Sequence, residues 1–270
     1  MKIRIISGVI FTAMMALLFF FVPPVVTAIT VAIVCAVAAW EVLHTTGLVR
    51  SPWLIACAAV MAALVALWSY FGGAYAPMLL GILLYTALLF GHMLYSRGKT
   101  PVEQMGYCLL AGLVLPFLLS ALLRIRMLPQ GRVLLLIPFI MAYCSDTGAY
   151  FIGVCFGKHK MCPNISPKKS WEGFVGGIAV AVLVMLAYAL LLARTTDLQI
   201  NLVMALVYGL VGALGSVFGD LMMSVIKRQA GIKDYGKLIP GHGGILDRFD
   251  SVLITAPLTE ALLLVMPMVV

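Results

Sequence analysis

Long apolar runs alternate with short polar breaks along almost the whole chain. We distinguish nine apolar segments, and each approaches the roughly 20 residues that a transmembrane helix needs. Turn-forming pairs such as Pro23-Pro24 and Gly72-Gly73 separate them. The pattern predicts an all-α, polytopic integral membrane protein with about nine transmembrane helices. The segments have the approximate bounds 5–22, 25–43, 53–71, 75–95, 104–123, 132–156, 172–193, 200–224 and 245–268.

The composition agrees with this prediction and excludes a large soluble domain. The chain is 63% hydrophobic and 10% charged, whereas a soluble domain has roughly 45–50% apolar and about 25% charged residues. Its six cysteines form no CxxC pair, so neither a zinc site nor a disulfide framework is expected. Lys2 and Arg4 before the first apolar segment resemble the start of a signal peptide, but the apolar stretch directly after Pro23-Pro24 favours a retained span.

The basic residues predict an orientation in the membrane. The net charge is +8, and the Lys and Arg residues lie mainly in the polar breaks, so we expect no nucleic-acid partner. With the N-terminus inside, fourteen of the 18 Lys and Arg residues lie inside, as the positive-inside rule requires. We therefore expect a multi-pass protein of the cell's inner (plasma) membrane, with both long polar stretches, 157–171 and 225–244, in the cytoplasm.

The distribution of acidic residues suggests two regions of different function. Before residue 146 the only acids are Glu41 and Glu103, so we interpret residues 1–130 as scaffold helices and 131–270 as the catalytic region. A charge at the centre of a membrane helix costs about 2.5–3.5 kcal/mol and usually marks a functional site. An ion pair that joins helices is the alternative. Six of the chain's ten acids, all in the second region, are candidates for such a site: Asp146, Glu172, Asp220, Asp234, Asp247 and Asp250.

Two motifs precede the main cluster. In the first, Asp146 is followed by glycines at 153 and 157, which permit close approach of a ligand or, alternatively, of a packing helix. In the second, Ser166-Pro-Lys-Lys-Ser170 leads into a helix. Hydroxyl, ammonium and free backbone N–H groups there suit phosphate oxygens, although a lysine pair at a membrane boundary also helps to orient a chain.

The most informative stretch runs from 219 to 250. Asp220, Ser224 and Lys227 have helical spacing and predict one polar face. The turn from 240 to 244 then brings Asp247 and Asp250 to the start of the last helix. Carboxylates from two helices suit Mg²⁺, with phosphate oxygens and water as further ligands. A purely structural charge network is the alternative.

The same stretch resembles the signature of the phosphatidate cytidylyltransferases, the CDP-diacylglycerol synthases, and the two upstream motifs resemble further blocks of that family. The signature residues present are Ser224, Lys227, Arg228, Lys233, Asp234, Pro240, His242, Gly243, Gly244, Asp247, Arg248 and Asp250. The resemblance implies that CTP and phosphatidic acid, a membrane lipid, react to give CDP-diacylglycerol and pyrophosphate in phospholipid biosynthesis. It also implies Mg²⁺, and it leaves room for a second cation such as K⁺ and for a homodimer.

Each candidate residue has a predicted role. We expect catalysis from Asp220, Lys227, Arg228 and Asp247, and metal binding by Asp220, Asp247 and Asp250. Substrate binding is expected from Asp146, Ser166, Lys168, Lys169, Ser224, Lys233, His242, Gly243, Gly244 and Arg248. Two other functions stay open: a CTP-using polyprenol or phytol kinase, and a transporter with Asp146 and Asp220 on its pathway.

Overall fold

The computed structural model describes residues 21–236, 238 and 243–269. Most of these residues are helical and only one short hairpin is present among them, so the predicted all-α class is confirmed. Most of the predicted segment 5–22 lies outside the described residues.

Helices follow one another closely along the described chain. Those before residue 130 are α1 Pro24–Trp40, α2 Pro52–Tyr70, α3 Tyr75–Tyr95, α4 Val102–Leu109, α5 Leu115–Leu119 and α6 Ala121–Met127. Those after it are α7 Gly131–Leu134, α8 Leu136–Phe139, α9 Ser145–Phe156, α10 Trp171–Thr195, α11 Leu202–Gln229, α12 Leu246–Phe249 and α13 Val252–Val265. Within the described residues, three π-helical turns interrupt the regular pattern: π1 Glu41–Thr45, π2 Leu110–Val114 and π3 Ile140–Cys144.

Seven helical stretches of the described chain are long and apolar enough to cross a membrane, which makes this a multi-pass membrane protein. They are Pro24–Thr45, Pro52–Tyr70, Tyr75–Tyr95, Val102–Met127, Gly131–Phe156, Trp171–Thr195 and Leu202–Gln229. The last predicted segment is divided into the short helices α12 and α13. The count of about nine spans therefore stays a prediction.

The described residues form two compact units. The first unit comprises those within Met1–Pro129 and Gln229–Arg248, and the second comprises those within Gln130–Arg228 and Phe249–Val270. The polar stretch after α11 thus belongs to the unit of the N-terminal helices. In the second unit, Tyr188 donates a hydrogen bond to the carbonyl of Val133 at 2.7 Å, and Thr255 donates one to that of Pro138 at 2.9 Å.

A β-hairpin forms within the predicted polar stretch 157–171. Strand β1, Lys160–Cys162, pairs antiparallel with β2, Ser166–Ser170, with Lys160 opposite Ser170. Ser170 also begins α10, because its hydroxyl accepts the N–H of Gly173 at 3.2 Å. A side-chain acceptor at this position satisfies one of the donors that a helix start leaves unpaired. The hairpin therefore fixes the lysines of β2 to a defined helix end.

Glycines allow α9 and α10 to pack with their backbones close together. A Cβ atom on Gly173 would lie 2.6 Å from the carbonyl oxygen of Ala149, and one on Gly177 would lie 2.7 Å from that of Ser145. Gly153 in turn faces the Cα of Gly173, 3.6 Å from where its own Cβ would be. Gly153 thus takes part in helix packing, which was one of the two alternatives for it. Close approach of a ligand to Gly153 or Gly157 stays a prediction.

This packing predicts a large cost for Gly177→Ala. The added methyl would overlap backbone that cannot move alone, so we expect about 1–3 kcal/mol of destabilisation, measured by unfolding the protein in mixed micelles. Gly106→Ala in α4 is the matched control, since a Cβ there meets nothing within 4 Å. Equal stabilities of the two variants would contradict the packing argument.

Candidate active site

Three acids and two lysines gather in the second unit, and we call this group the acid–lysine cluster. Its members come from four elements: Asp146 from α9, Lys169 from β2, Asp220 and Lys227 from α11, and Asp250 from the link between α12 and α13. All five had been predicted from the sequence as site residues. The structure therefore brings together residues that are distant in the sequence: Asp146 and Asp250 are 104 positions apart.

Two serines orient the carboxylate of Asp146. The hydroxyl of Ser216 donates to Oδ1 at 3.2 Å, and that of Ser251 donates to Oδ2 at 2.9 Å. Both serines were missed in the sequence analysis. Ser216 lies one helical turn before Asp220, and Ser251 directly follows Asp250, so helical spacing and adjacency to a predicted acid were the available signals.

Asp220 lies between a lysine of the hairpin and a serine of its own helix. Nζ of Lys169 is 2.6 Å from Oδ2, and the hydroxyl of Ser224 donates to Oδ1 at 3.2 Å. The side chain of Asp220 is 24% exposed, so the pair is only partly shielded from solvent. The contact with Ser224 confirms the helical face that the spacing of 220, 224 and 227 predicted.

Lys227 completes that face and reaches the third acid. Its Nζ lies 3.7 Å from Oδ2 of Asp250, with the two side chains only 9% and 16% exposed. The backbone N–H of Ser251 donates to the other oxygen of Asp250 at 2.8 Å. Gly219 allows this approach, because a Cβ atom there would lie 2.7 Å from the carbonyl oxygen of Asp250.

The acid–lysine cluster carries an excess of negative charge. Asp146 and Asp220 repel each other, and Asp250 is repelled by both. When all five groups are ionised, three carboxylates face two ammonium groups, which leaves one negative charge. In a partly buried site such an excess favours the binding of a cation.

Asp247 has a different environment, in the first unit. It is buried, and its Oδ2 accepts the N–H groups of Tyr235 and Gly244 at 2.8 and 2.9 Å. The neighbouring Gly243 has a φ of +91°, which favours glycine. One oxygen of Asp247 thus joins the backbone at residues 235 and 244, and its metal-binding role stays a prediction.

Glu41 is a second buried acid of the first unit and was assigned to the scaffold in the sequence analysis. Its side chain is 0% exposed, and its two oxygens accept the N–H groups of Ile245 and Leu246. An acid inside an apolar segment was the signal that could have identified it.

The remaining predicted residues have more open surroundings. Ser166 begins β2, and Lys168 is exposed on the same strand. Nε of Arg228 donates to the carbonyl of Ile165 at 3.1 Å, which ties the end of α11 to the hairpin. Lys233 is exposed, Arg248 is half-buried in α12, and His242 lies outside the described residues.

A cleft of about 650 Å³ lies in the first unit. Trp40 and Thr45 of the first described span contribute to it, as does most of the segment after α11. Its lining residues are Trp40, Thr45, Ile232, Lys233, Asp234, Tyr235, Gly236 and Leu238.

The donors of the acid–lysine cluster fit a hard cation such as Mg²⁺. Within residues 21–236, 238 and 243–269, no three His, Cys, Asp or Glu side chains converge to hold a metal alone. Mg²⁺ usually requires only one or two carboxylates, because substrate phosphates and water complete its six ligands. The carboxylates and serine hydroxyls present supply oxygen donors of that kind.

Comparison with known proteins identifies the family. The sequence matches the cytidylyltransferase family over residues 2–266. This chain belongs to the cytidylyltransferase family.

Three similar relatives are phosphatidate cytidylyltransferases. Those of Staphylococcus epidermidis and Staphylococcus aureus are each 43% identical to this chain over 135 residues, which is half of this chain and half of theirs. That of Staphylococcus saprophyticus is 35% identical over 177 residues, 66% of each chain. The matched region thus spans about half to two thirds of the length of these relatives.

Proposed function

We propose that this protein is a membrane nucleotidyltransferase that condenses CTP with phosphatidic acid to give CDP-diacylglycerol and pyrophosphate. The observation that carries the proposal is the acid–lysine cluster, in which partly buried acids and ammonium groups lie side by side. Such a site can bind a cation and phosphate groups together. The cytidylyltransferase family and the names of the three relatives support the same substrates.

The proposed reaction is a direct, in-line transfer. A phosphate oxygen of phosphatidic acid forms a bond to the α-phosphorus of CTP, and the bond from that phosphorus to the β-phosphate bridging oxygen breaks. Pyrophosphate leaves with the electron pair. The attacking phosphate is already anionic near neutral pH, so no general base is required. Positioning and charge stabilisation therefore supply most of the catalysis.

The side chains then have distinct tasks. Lys227 stabilises the charge that develops on the departing pyrophosphate, with Arg228 and Lys233 as further cations for the triphosphate. Lys168 and Ser166, beside Lys169 on the hairpin, suit a phosphate of CTP or of the lipid. Asp220 and Asp250 would hold Mg²⁺, which when bound neutralises phosphate oxygens. Asp247 stays a predicted ligand, since one of its oxygens accepts backbone N–H groups of the first unit. A second cation such as K⁺ remains part of the proposal.

The membrane setting of the proposal follows from the substrates. Phosphatidic acid keeps its acyl chains in the bilayer while CTP arrives from the cytoplasm, so the site must open to both. The excess of Lys and Arg in the polar stretches supports a cytoplasmic site in the inner (plasma) membrane. A homodimer is proposed from the family resemblance alone.

We expect the full chain in mixed micelles to convert labelled CTP and phosphatidic acid to a lipid-linked nucleotide and pyrophosphate. Removal of Mg²⁺ with EDTA should abolish the product, and added Mg²⁺ should restore it, because an isolated set of carboxylates and lysines cannot neutralise a triphosphate alone. Release of CDP in place of pyrophosphate would instead indicate a lipid kinase. Ion flux in proteoliposomes without CTP would indicate a transporter.

A further inference from the structure

Glu41 links the first described span to a segment far along the chain. Its Oε1 accepts the N–H of Ile245 at 2.9 Å, and its Oε2 accepts that of Leu246 at 2.8 Å. These partners are more than 200 positions away in sequence but belong to the same compact unit. Both oxygens of this fully buried carboxylate thus accept hydrogen bonds from backbone N–H groups at the start of α12.

The space around this carboxylate is closed by glycines. A Cβ atom on Gly244 would overlap the carboxylate of Glu41, and one on Gly236 would lie 2.7 Å from Oε1. Real Cβ atoms do not approach an oxygen this closely. Gly236 and Gly244 thus allow the backbone to pack closely against the Glu41 carboxylate.

Asp247 also accepts hydrogen bonds from the backbone of this part of the chain. Its Oδ2 accepts the N–H groups of Tyr235 and Gly244, so four backbone donors face two buried carboxylates. The two acids repel each other. Backbone N–H groups are strong partners for carboxylates, and together they offset this repulsion.

We propose that Glu41 is a positioning residue for the predicted substrate-binding segment 243–248, which deepens the proposed function and rests on it. Its carboxylate fixes residues 243–248, which include the predicted substrate-binding Gly243, Gly244 and Arg248, in one backbone conformation. The cleft of the first unit lies close by, because it is lined by Trp40, which precedes Glu41, and by Tyr235 and Gly236. Loss of the Glu41 carboxylate therefore releases one wall of that cleft as well as the backbone of residues 243–248.

The test is Glu41→Gln in the full chain, in mixed micelles with phosphatidic acid and Mg²⁺. Glutamine keeps the size of the side chain, but its amide nitrogen cannot accept the N–H that one carboxylate oxygen now accepts. We expect the KM for CTP to rise about 10- to 100-fold, the usual effect of losing a group that orients site residues, with a smaller change in kcat. Amide exchange of peptides covering 243–248 should become faster.

Glu103→Gln is the matched control, because Glu103 is an exposed acid in the first turn of α4; it should behave as the unmodified protein. A KM for CTP within twofold of the unmodified value would overturn the proposal. So would a lower yield of folded Glu41→Gln with unchanged constants for the folded fraction. If the unmodified protein makes no CDP-diacylglycerol, the proposed function fails on its own, and amide exchange of 243–248 still decides the role of Glu41: unchanged exchange overturns it.

Discussion

Asp220→Asn is expected to lower the rate of CDP-diacylglycerol synthesis by about 10³-fold or more while the protein still folds and inserts. Asparagine has the shape of aspartate and can accept the hydrogen bond from Ser224, but it removes the charge that lies 2.6 Å from Nζ of Lys169. The acid–lysine cluster then loses its negative excess, and with it the attraction for a divalent cation. Effects of this size are typical when one charged group of a preorganised site is removed.

The measurement is lipid-linked label from CTP, together with the yield and the melting temperature of the purified variant. Folding should survive, because the side chain of Lys169 is 20% exposed and can turn towards water. Asp197→Asn provides the control, since Asp197 is an exposed acid of the same unit and should retain full activity. Near-normal turnover of Asp220→Asn would rule out its proposed role in binding metal.

The helices were predictable because their signal is local. Each apolar run that the structure describes is mainly helical, although the last is divided into α12 and α13. The reason is that backbone polar groups in lipid must be hydrogen-bonded within the segment, as a helix does. Helical spacing also placed Asp220, Ser224 and Lys227 on one face. The irregular π turns were not predicted, because they depend on packing that a linear pattern does not contain.

The partners of the site residues were less predictable. Lys168 and Lys169 are equivalent in the sequence, but strand alternation in the hairpin exposes the first and directs the second to Asp220. Asp247 and Asp250 likewise looked like a matched pair at helical spacing. In the structure Asp250 joins the acid–lysine cluster, whereas one oxygen of Asp247 accepts the backbone N–H groups of Tyr235 and Gly244.

Glu41 shows why a region-by-region interpretation fails for long-range contacts. With few acids before residue 146, the first half appeared to be scaffold. Glu41, the acid within α1 and π1, nevertheless accepts hydrogen bonds from the backbone N–H groups of residues 245 and 246. Nothing in the spacing connects positions so far apart, whereas the cost of burying a charge already required that Glu41 have partners.

Lys227→Met is expected to reduce kcat by about 10²- to 10³-fold, because it removes a cation from the site where charge develops on the leaving pyrophosphate. The cluster would go from one excess negative charge to two, with Asp250 only 16% exposed. Breaking a buried pair in this way also costs about 3–5 kcal/mol of stability. Activity must therefore be expressed per folded molecule, and Lys160→Met, at an exposed lysine of β1, serves as the control.

The double variant Lys227→Met with Asp250→Asn separates catalysis from a purely structural charge network. It removes both charges of the 3.7 Å pair, so the stability lost in Lys227→Met should largely return, since an unpaired buried charge is no longer left behind. Its rate of CDP-diacylglycerol synthesis should stay as low as that of the single variant, because the cation for pyrophosphate and one of the carboxylates proposed for Mg²⁺ are both absent. If activity returned together with stability, the pair would serve only to join helices, and the chemistry assigned to Lys227 and Asp250 would be wrong.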